Sequence, residues 1–335
     1  MKILVIRRDN IGDLVVTTPV FAALRRRFPQ ARIEALVNTY NAPVLANHPD
    51  VDAVHTYTKD KHLGPGESRL SNWLARGSLI VRLRRSRFDT VLLAAPGYRP
   101  RELGLARALA PGRIASFVPR GQRIAGVALP VDFPGPPGLH HLEDTFRILG
   151  PLGIAGPPPA PRLGYPVQPR APGSPLRIAF HVSARRPSQR WPEERFVALM
   201  RELHARTGAR FLLFWAPGSE HDPRHPGDDE KAARILRAAA DLPLEPVKTG
   251  HLDELVRGVA RSDALVAADG GVVHIAAALG VPVACLYGVT DPLEWGPWGV
   301  AHRIVQPTSR NVGDATVAQM REAFLDLLRE TARAA

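Results

Sequence analysis

Ala264-Leu-Val-Ala-Ala-Asp269-Gly270-Gly271-Val-Val-His274-Ile-Ala-Ala-Ala-Leu-Gly280-Val-Pro282 is the stretch that decides the fold of this chain. A short apolar run ends at Asp269, two glycines turn the backbone, a helix begins within a few residues, and a second apolar run follows at 283–287. Strand, turn, helix, strand is the unit of a parallel sheet covered by helices. The same alternation extends in both directions. Strands are expected at 177–182, 210–214 and 264–267, with helices at 194–206, 229–239, 252–260 and 272–279. Earlier in the chain, strands are expected at 3–6, 32–37, 53–56, 90–94 and 114–117, and helices at 14–27, 70–85, 102–109 and 142–149. A final amphipathic helix covers 317–333.

The chain has 335 residues, enough for two domains with separate cores. Nine prolines fall between Pro151 and Pro175. Because proline lacks an N–H donor and fixes φ, that run reads as an extended linker. The expected division is a Rossmann-like domain over 1–155, a linker over 156–175, a second Rossmann-like domain over 176–315, and a C-terminal helix over 316–335 that packs back toward the first domain. The fold class is α/β, two doubly wound parallel sheets facing across a cleft, with ligands at the carboxyl ends of the strands.

Composition narrows the function. Apolar residues make up 45%, which excludes a disordered chain. No apolar run approaches the roughly 20 residues that span a bilayer, and no signal peptide is visible, so the chain reads as cytoplasmic. The single Cys285, inside an apolar run, reads as a buried thiol in a reducing compartment. Only five of the 44 basic residues are Lys, a bias that genome composition alone produces, so the formal charge of +12 says little by itself. Its distribution says more: residues 1–165 hold 23 basic and 12 acidic side chains, whereas residues 166–335 hold 21 and 20. A one-sided field favours an anionic partner. Aromatic residues, at 6%, are not clustered beside the arginines, which argues against nucleic acid. No Walker loop, Gly-x-Ser-x-Gly elbow or G-x-G-x-x-G fingerprint occurs, which weakens P-loop, hydrolase and dinucleotide readings.

Four places at strand ends carry candidate chemistry. After the first strand comes Arg7-Arg8-Asp9-Asn10-Ile11-Gly12-Asp13. Asp13 either complements a helix dipole or serves as a general base held ionised by its arginine neighbours. At Asp269-Gly270-Gly271, free N–H groups at a glycine-rich helix start suit phosphate oxygens, and His274 adds a donor; the alternative is a tight turn capped by Asp269. In Ser183-Ala-Arg-Arg-Pro-Ser-Gln-Arg190-Trp191-Pro192, Ser183 and Arg190 suit a phosphate, or the arginines lie on a solvated loop. Glu220, after the strand at 210–214, suits ribose hydroxyls or simply water. The 220–229 stretch has metal-ligand residue types, including His221 and His225, but no regular ligand spacing, so no metal site is expected.

In this order, Ile11-Gly12-Asp13, Arg190-Trp191-Pro192-Glu193, the loop after Trp215, Asp269-Gly270-Gly271-Val-Val-His274 and Tyr287-Gly288-Val-Thr290-Asp291-Pro292 resemble glycosyltransferase family 9, the bacterial lipopolysaccharide heptosyltransferases. The resemblance covers almost the whole chain and implies a GT-B fold. It implies an inverting, metal-independent transferase without a cofactor that moves a heptose from an ADP-sugar to the lipopolysaccharide inner core on lipid A, peripheral at the cytoplasmic face of the inner membrane. It assigns Asp13 as catalytic base, Arg190 to the diphosphate, Ser183, Gly271 and His274 to the phosphate cradle, Glu220 to the ribose, and Asp269 to the donor sugar. Two positions depart from the family: Gly270 stands where Thr or Ser is common, and Arg190 where Lys is common. Both bear on the donor, so another nucleotide sugar or acceptor stays open. The alternative from a different class is a non-catalytic protein binding anionic ligands or nucleic acid on the same fold.

Overall fold

In the computed structural model, which describes residues 1–60, 68–222 and 226–334, the chain divides between Gly164 and Tyr165 into two units. The first contains β1 (Lys2–Ile6), α1 (Ile11–Val15), α2 (Thr18–Arg27), β2 (Arg32–Asn38), β3 (Ala53–Tyr57), α3 (Arg69–Arg85), β4 (Thr90–Leu93), α4 (Pro100–Ala108), β5 (Arg113–Pro119), β6 (Leu129–Phe133) and α5 (His141–Phe146). Its strands pair in parallel in the order β3-β2-β1-β4-β5-β6. The second unit contains β7 (Arg177–His181), α6 (Glu193–Thr207), β8 (Arg210–Trp215), α7 (Asp229–Ala238), β9 (Leu244–Lys248), α8 (Leu252–Ala260), β10 (Ala264–Ala268), α9 (Gly271–Ala278), β11 (Val283–Leu286), α10 (Pro292–Trp295), β12 (His302–Val305) and α11 (Val317–Ala334). Its order, β12-β11-β10-β7-β8-β9, is again fully parallel and repeats the first plan. Both units are therefore doubly wound α/β sheets. The order reverses between β1 and β4 in one and between β7 and β10 in the other, the positions where such sheets open a crevice for ligands.

Central strands are mostly apolar because helices cover both of their faces. Residues 3–6, 90–93, 264–268 and 283–286 are buried in unbroken runs. Three strands absent from the sequence expectation, β6, β9 and β12, all lie at sheet edges. Their half-exposed patterns and the prolines at 130 and 246 suit an edge, where one side of the backbone needs no partner. The helix expected over 14–27 is divided. It pauses at Val16 and Thr17, and Pro19, which has no N–H to donate, stands in the first turn of α2. Cys285 is fully buried, and burial pushes its thiol up.

The proline-rich segment has no regular secondary structure but is fastened at several points. Arg162 N–H donates to Thr18 Oγ1 at 3.1 Å, Tyr165 Oη donates to Asp253 at 2.7 Å, and Gln168 N–H donates to Ala260 O at 2.9 Å. Gly164 lies so close to the backbone of Ala46 and Asn47 that no Cβ fits there.

The apolar face of α11 is buried inside the second unit. Met320, Phe324 and Leu327 are each 0% exposed and join the core formed with Trp191, Phe196 and Met200. Within the same unit, α6, β11 and β12 offer the apolar wall against which this face packs. Phe324→Ala is expected to lower stability by about 3–5 kcal/mol, read by chemical denaturation of the second unit's transition. An exposed control, Arg329→Ala, should change it by less than about 0.5 kcal/mol.

Candidate active site

Arg7 follows the last residue of β1 and is only 1% exposed. A guanidinium keeps its proton under all ordinary conditions, so burial obliges it to find acceptors. One Nη1–H donates to Ala94 O at 2.5 Å, just beyond β4, so the side chain bridges the two strands at the reversal point. Nη2 donates to Asp13 Oδ1 at 2.7 Å and lies 3.1 Å from His141 Nε2. Nε stands 3.4 Å from an Asp9 carboxylate oxygen, a looser ion pair.

Asp13 is the third residue of α1, and its second oxygen accepts from the Asn10 backbone N–H at 3.0 Å and the Asn10 side-chain amide at 3.1 Å. It therefore does what an acid at this position does for a helix start, and it also serves as the anion for Arg7. The two readings of Asp13 are not exclusive. Burial works to raise its carboxyl, but the His141 hydrogen bond, the Arg7 charge and the Asn10 N–H outweigh burial and hold the group well below the usual carboxylate range. His141, at the first turn of α5, reaches within 3.6 Å of the same carboxylate. Around this centre lie further cations: Arg99 at 3.7 Å from Asp9, Lys59 near Asp9 O, and Arg8, whose Nε donates to Tyr57 Oη at 2.7 Å.

In the second unit the reversal point is bridged as well. Gln189, in the loop after β7, donates from Nε2 to Asp269 Oδ2 at 2.9 Å, and Thr290 Oγ1 donates to the same oxygen at 2.6 Å. Asp269 is thus oriented by two neutral donors, and burial moves its carboxyl upward against them. Gly270 has extended backbone that any residue adopts, and the nearest atom to an added Cβ is 3.9 Å away. Neither backbone nor packing demands glycine there. Gly271 opens α9, whereas His274 is 4% exposed with its ring 6.0 Å from that of Trp295.

Arg190 and Glu220 line a different depression of about 560 Å³, together with Glu193, Lys231 and Arg234, and Ser183 joins this group through its hydrogen bond to Asp228. Ser183 Oγ accepts from Ala216 N–H at 2.8 Å. Trp191 fixes the neighbouring Arg190: its indole is 1% exposed, donates to Ala315 O at 2.9 Å and stacks edge-on against Phe196. Arg190 then donates from Nε to Ala184 O at 3.0 Å and pairs through Nη1 with Asp228 at 3.2 Å. Asp228 is buried, which raises its carboxyl against a Ser183 hydrogen bond and the charges of Arg190 and Lys231. Lys231 is buried beneath the loop, donating to Val182 O and Trp191 O at 3.0 Å each, and burial lowers its ammonium to about 8. Glu220 is bound by Arg234 Nη2 at 3.0 Å, whose Nε also holds Glu193 at 2.7 Å.

The sequence candidates thus form three clusters: Asp13 with Arg7 and His141; Asp269, Gly270 and Gly271 with Gln189 and Thr290; and Ser183, Arg190 and Glu220 with Asp228, Lys231 and Arg234. Arg7 is the arginine neighbour expected for Asp13, whereas His141, Gln189, Asp228 and Lys231 carried no sequence signal for these partnerships, apart from the position of Gln189 just after a strand. Among the described residues, no group of three or more His, Cys, Asp and Glu is arranged to hold a metal ion; His225 lies outside them.

The sequence profile of glycosyltransferase family 9 (heptosyltransferase) matches residues 152–321. The chain is 26% identical over 305 residues to lipopolysaccharide heptosyltransferase 3 of Escherichia coli K12, a match covering 86% of this chain and 82% of that one. Among solved structures it is similar to the family 9 glycosyl transferase of Veillonella parvula DSM 2008, with a TM-score of 0.80, 17% identity and coverage of 98% and 97%. It is also similar to E. coli heptosyltransferase WaaC with ADP, with a TM-score of 0.79, 18% identity and coverage of 98% and 100%. These likenesses identify the two sheets as a GT-B fold.

Removing the Asp13 charge leaves Arg7 buried without its main anion. Asp13→Asn is expected to cost about 3 kcal/mol at neutral pH, measured by urea unfolding. Because the folded carboxyl is depressed, this stabilisation is present above the ordinary value of 3.8 and is lost as pH falls below it, so the gap between variant and wild type should narrow there.

Proposed function

Since the chain belongs to glycosyltransferase family 9, as the profile match over half its length establishes, we propose that it is a heptosyltransferase-like enzyme that transfers a heptose or related sugar from an ADP-sugar to an inner-core acceptor of lipopolysaccharide. The reaction is a single displacement with inversion. An acceptor hydroxyl oxygen attacks the anomeric carbon, the bond from that carbon to the diphosphate oxygen breaks, ADP leaves with the electron pair, and the acceptor proton passes to Asp13.

The observation that carries this reading is the Asp13 carboxylate, kept ionised beyond the carboxyl end of β1 by His141, Arg7 and Asn10. A carboxylate so depressed is a weak base toward a ground-state alcohol. As the carbon–oxygen bond forms, the hydroxyl becomes strongly acidic, and a fixed, charged acceptor then suffices. Arg7, Asn10 and His141 act as positioning residues for that carboxylate. The departing diphosphate needs cations, for which Arg190 is suited by its fork and by the buried Asp228 that orients it; no metal ion is required for this step. Ser183, Gly271 and His274 complete the phosphate contacts, Glu220 accepts from the ribose, and Asp269, oriented by Gln189 and Thr290, accepts from the sugar hydroxyls. ADP as the nucleotide of the donor is supported by the relative solved with ADP, and a lipopolysaccharide acceptor by the names of the curated relatives. The cations around Asp9 and the basic excess of the first half suit an acceptor that carries phosphate or carboxylate. The open space at Gly270 favours a second version of the same reading, in which the sugar differs from heptose.

In a thermal-shift panel, ADP and ADP-sugars should raise the melting temperature more than UDP, GDP or NAD; a larger response to UDP would remove the ADP assignment. Asp13→Asn should retain the ADP response while losing about 10²–10⁴ in turnover, and EDTA should leave wild-type transfer unchanged. Undiminished turnover in the variant would take the base role from Asp13.

A further inference from the structure

The helix α3 has two apolar faces. One is ordinary: Leu79 and Leu83 are buried with Phe88 and Val91 in the core of the first unit. On the other side Leu70, Trp73, Leu74 and Val81 are 66%, 69%, 57% and 48% exposed. With 3.6 residues per turn, positions 70, 73, 74, 77 and 81 share one stripe about 100° wide. A helix buried on one side normally presents polar residues on the other, so among the described residues this second stripe is an unpartnered apolar surface.

Its flanks are rich in arginine, and the one acid that pairs with α3 among the described residues, Asp60, binds Asn72 and Arg76 away from the exposed stripe. Between Ser68 and Phe88 the chain has six arginines, at 69, 76, 82, 84, 85 and 87, and no acidic residue. Exposed aromatic and aliphatic side chains rimmed by arginine are the composition of a helix that lies in the interface of an anionic bilayer. Other occupants fit less well. A second copy would press a like-charged rim against itself across a two-fold axis. Nucleic acid would find leucines and a valine where it needs stacking platforms.

We propose that this face of α3 docks the protein on an anionic lipid surface, with Leu70, Trp73 and Leu74 at the boundary between headgroups and acyl chains and the arginines against lipid phosphates. The orientation follows from the topology. α3 begins beyond the carboxyl end of β3, at the same sheet edge from which α1 and Asp13 rise after β1. Arg76 fastens the two: its Nε donates to Thr58 O at 3.2 Å and its guanidinium lies 5.6 Å from the Tyr57 ring, which Arg8 also covers at 4.6 Å. Docking through Trp73 therefore turns the Asp13 edge of the sheet toward the bilayer. The purpose assigned to docking, delivery of a lipid-anchored acceptor, rests on the transferase reading, but the docking itself does not.

The test is flotation of the full chain with phosphatidylcholine vesicles, with and without phosphatidylglycerol, comparing wild type with the double variant Trp73→Ser, Leu74→Ser. Wild type should float with the anionic vesicles, less so in high salt, and the variant should lose that partitioning by about tenfold or more while keeping the wild-type melting temperature and ADP response. Trp73 is the sole tryptophan of residues 1–164, so brominated lipid should quench a component of the emission that the variant lacks. Equal flotation of variant and wild type, failure of wild type to float, or a wild-type dimer that the variant splits would each overturn the proposal. Flotation without any sugar transfer would leave docking intact and defeat the transferase reading. Transfer to a detergent-dispersed acceptor without flotation would do the reverse.

Discussion

A guanidinium that cannot lose its proton is buried at the end of β1, and the chemistry of the first unit is arranged around that fact. Arg7 draws Asp13 at 2.7 Å, approaches Asp9, and borrows the Ala94 carbonyl from beyond the neighbouring strand. Asp13 in turn is spanned by Asn10 across the start of α1 and approached by His141 from α5. His141 and one buried cation thereby keep a carboxylate ionised and immobile at the point where the strand order reverses. Truncating either Arg7 or Asp13 would strand a buried charge, which costs more than the pair contributes net.

The second unit bridges its own reversal point with a different bond, from an uncharged amide. Gln189 crosses from the loop after β7 to Asp269 after β10, and Thr290 joins them, so burial is left free to move Asp269 upward. Arg186 reaches Asp269 only through its charge, and the oriented cations stand in the Arg190 loop above the buried Lys231 and Asp228. Two sheets with the same strand order therefore carry unlike electrostatics. The first holds a fixed anion suited to receive a proton; the second holds neutral donors and oriented cations suited to a sugar and its diphosphate.

The fold was legible in the sequence wherever strands are buried on both faces, because unbroken apolar runs such as 264–268 and 283–286 permit little else. The edge strands β6, β9 and β12 escaped because half-exposed backbone tolerates proline and mixed polarity, which read as loops. Pro19 marks the division of the helix at Val16 and Thr17, because a residue without an N–H belongs in a first turn. In the sites, Asp13, Asp269 and Arg190 stood out because each follows a strand. Their partners did not: Arg7 meets His141 across 134 residues, Gln189 meets Asp269 across 80, and Lys231 looks like any lysine in an amphipathic helix until Val182 and Trp191 are folded over it. Spacing along a chain reports local geometry, whereas these pairs exist only through the parallel sheet that joins distant strand ends.

The central claim is that this arrangement transfers a sugar from an ADP donor to a lipopolysaccharide core. The measurement that bears on it most directly is the mass of a heptose-free lipopolysaccharide acceptor after incubation with the protein and ADP-heptose. A gain of one heptose residue is expected, with release of ADP and inversion at the anomeric carbon. An unchanged acceptor mass with ADP-heptose, alongside transfer from a UDP- or GDP-sugar in the same assay, would contradict it.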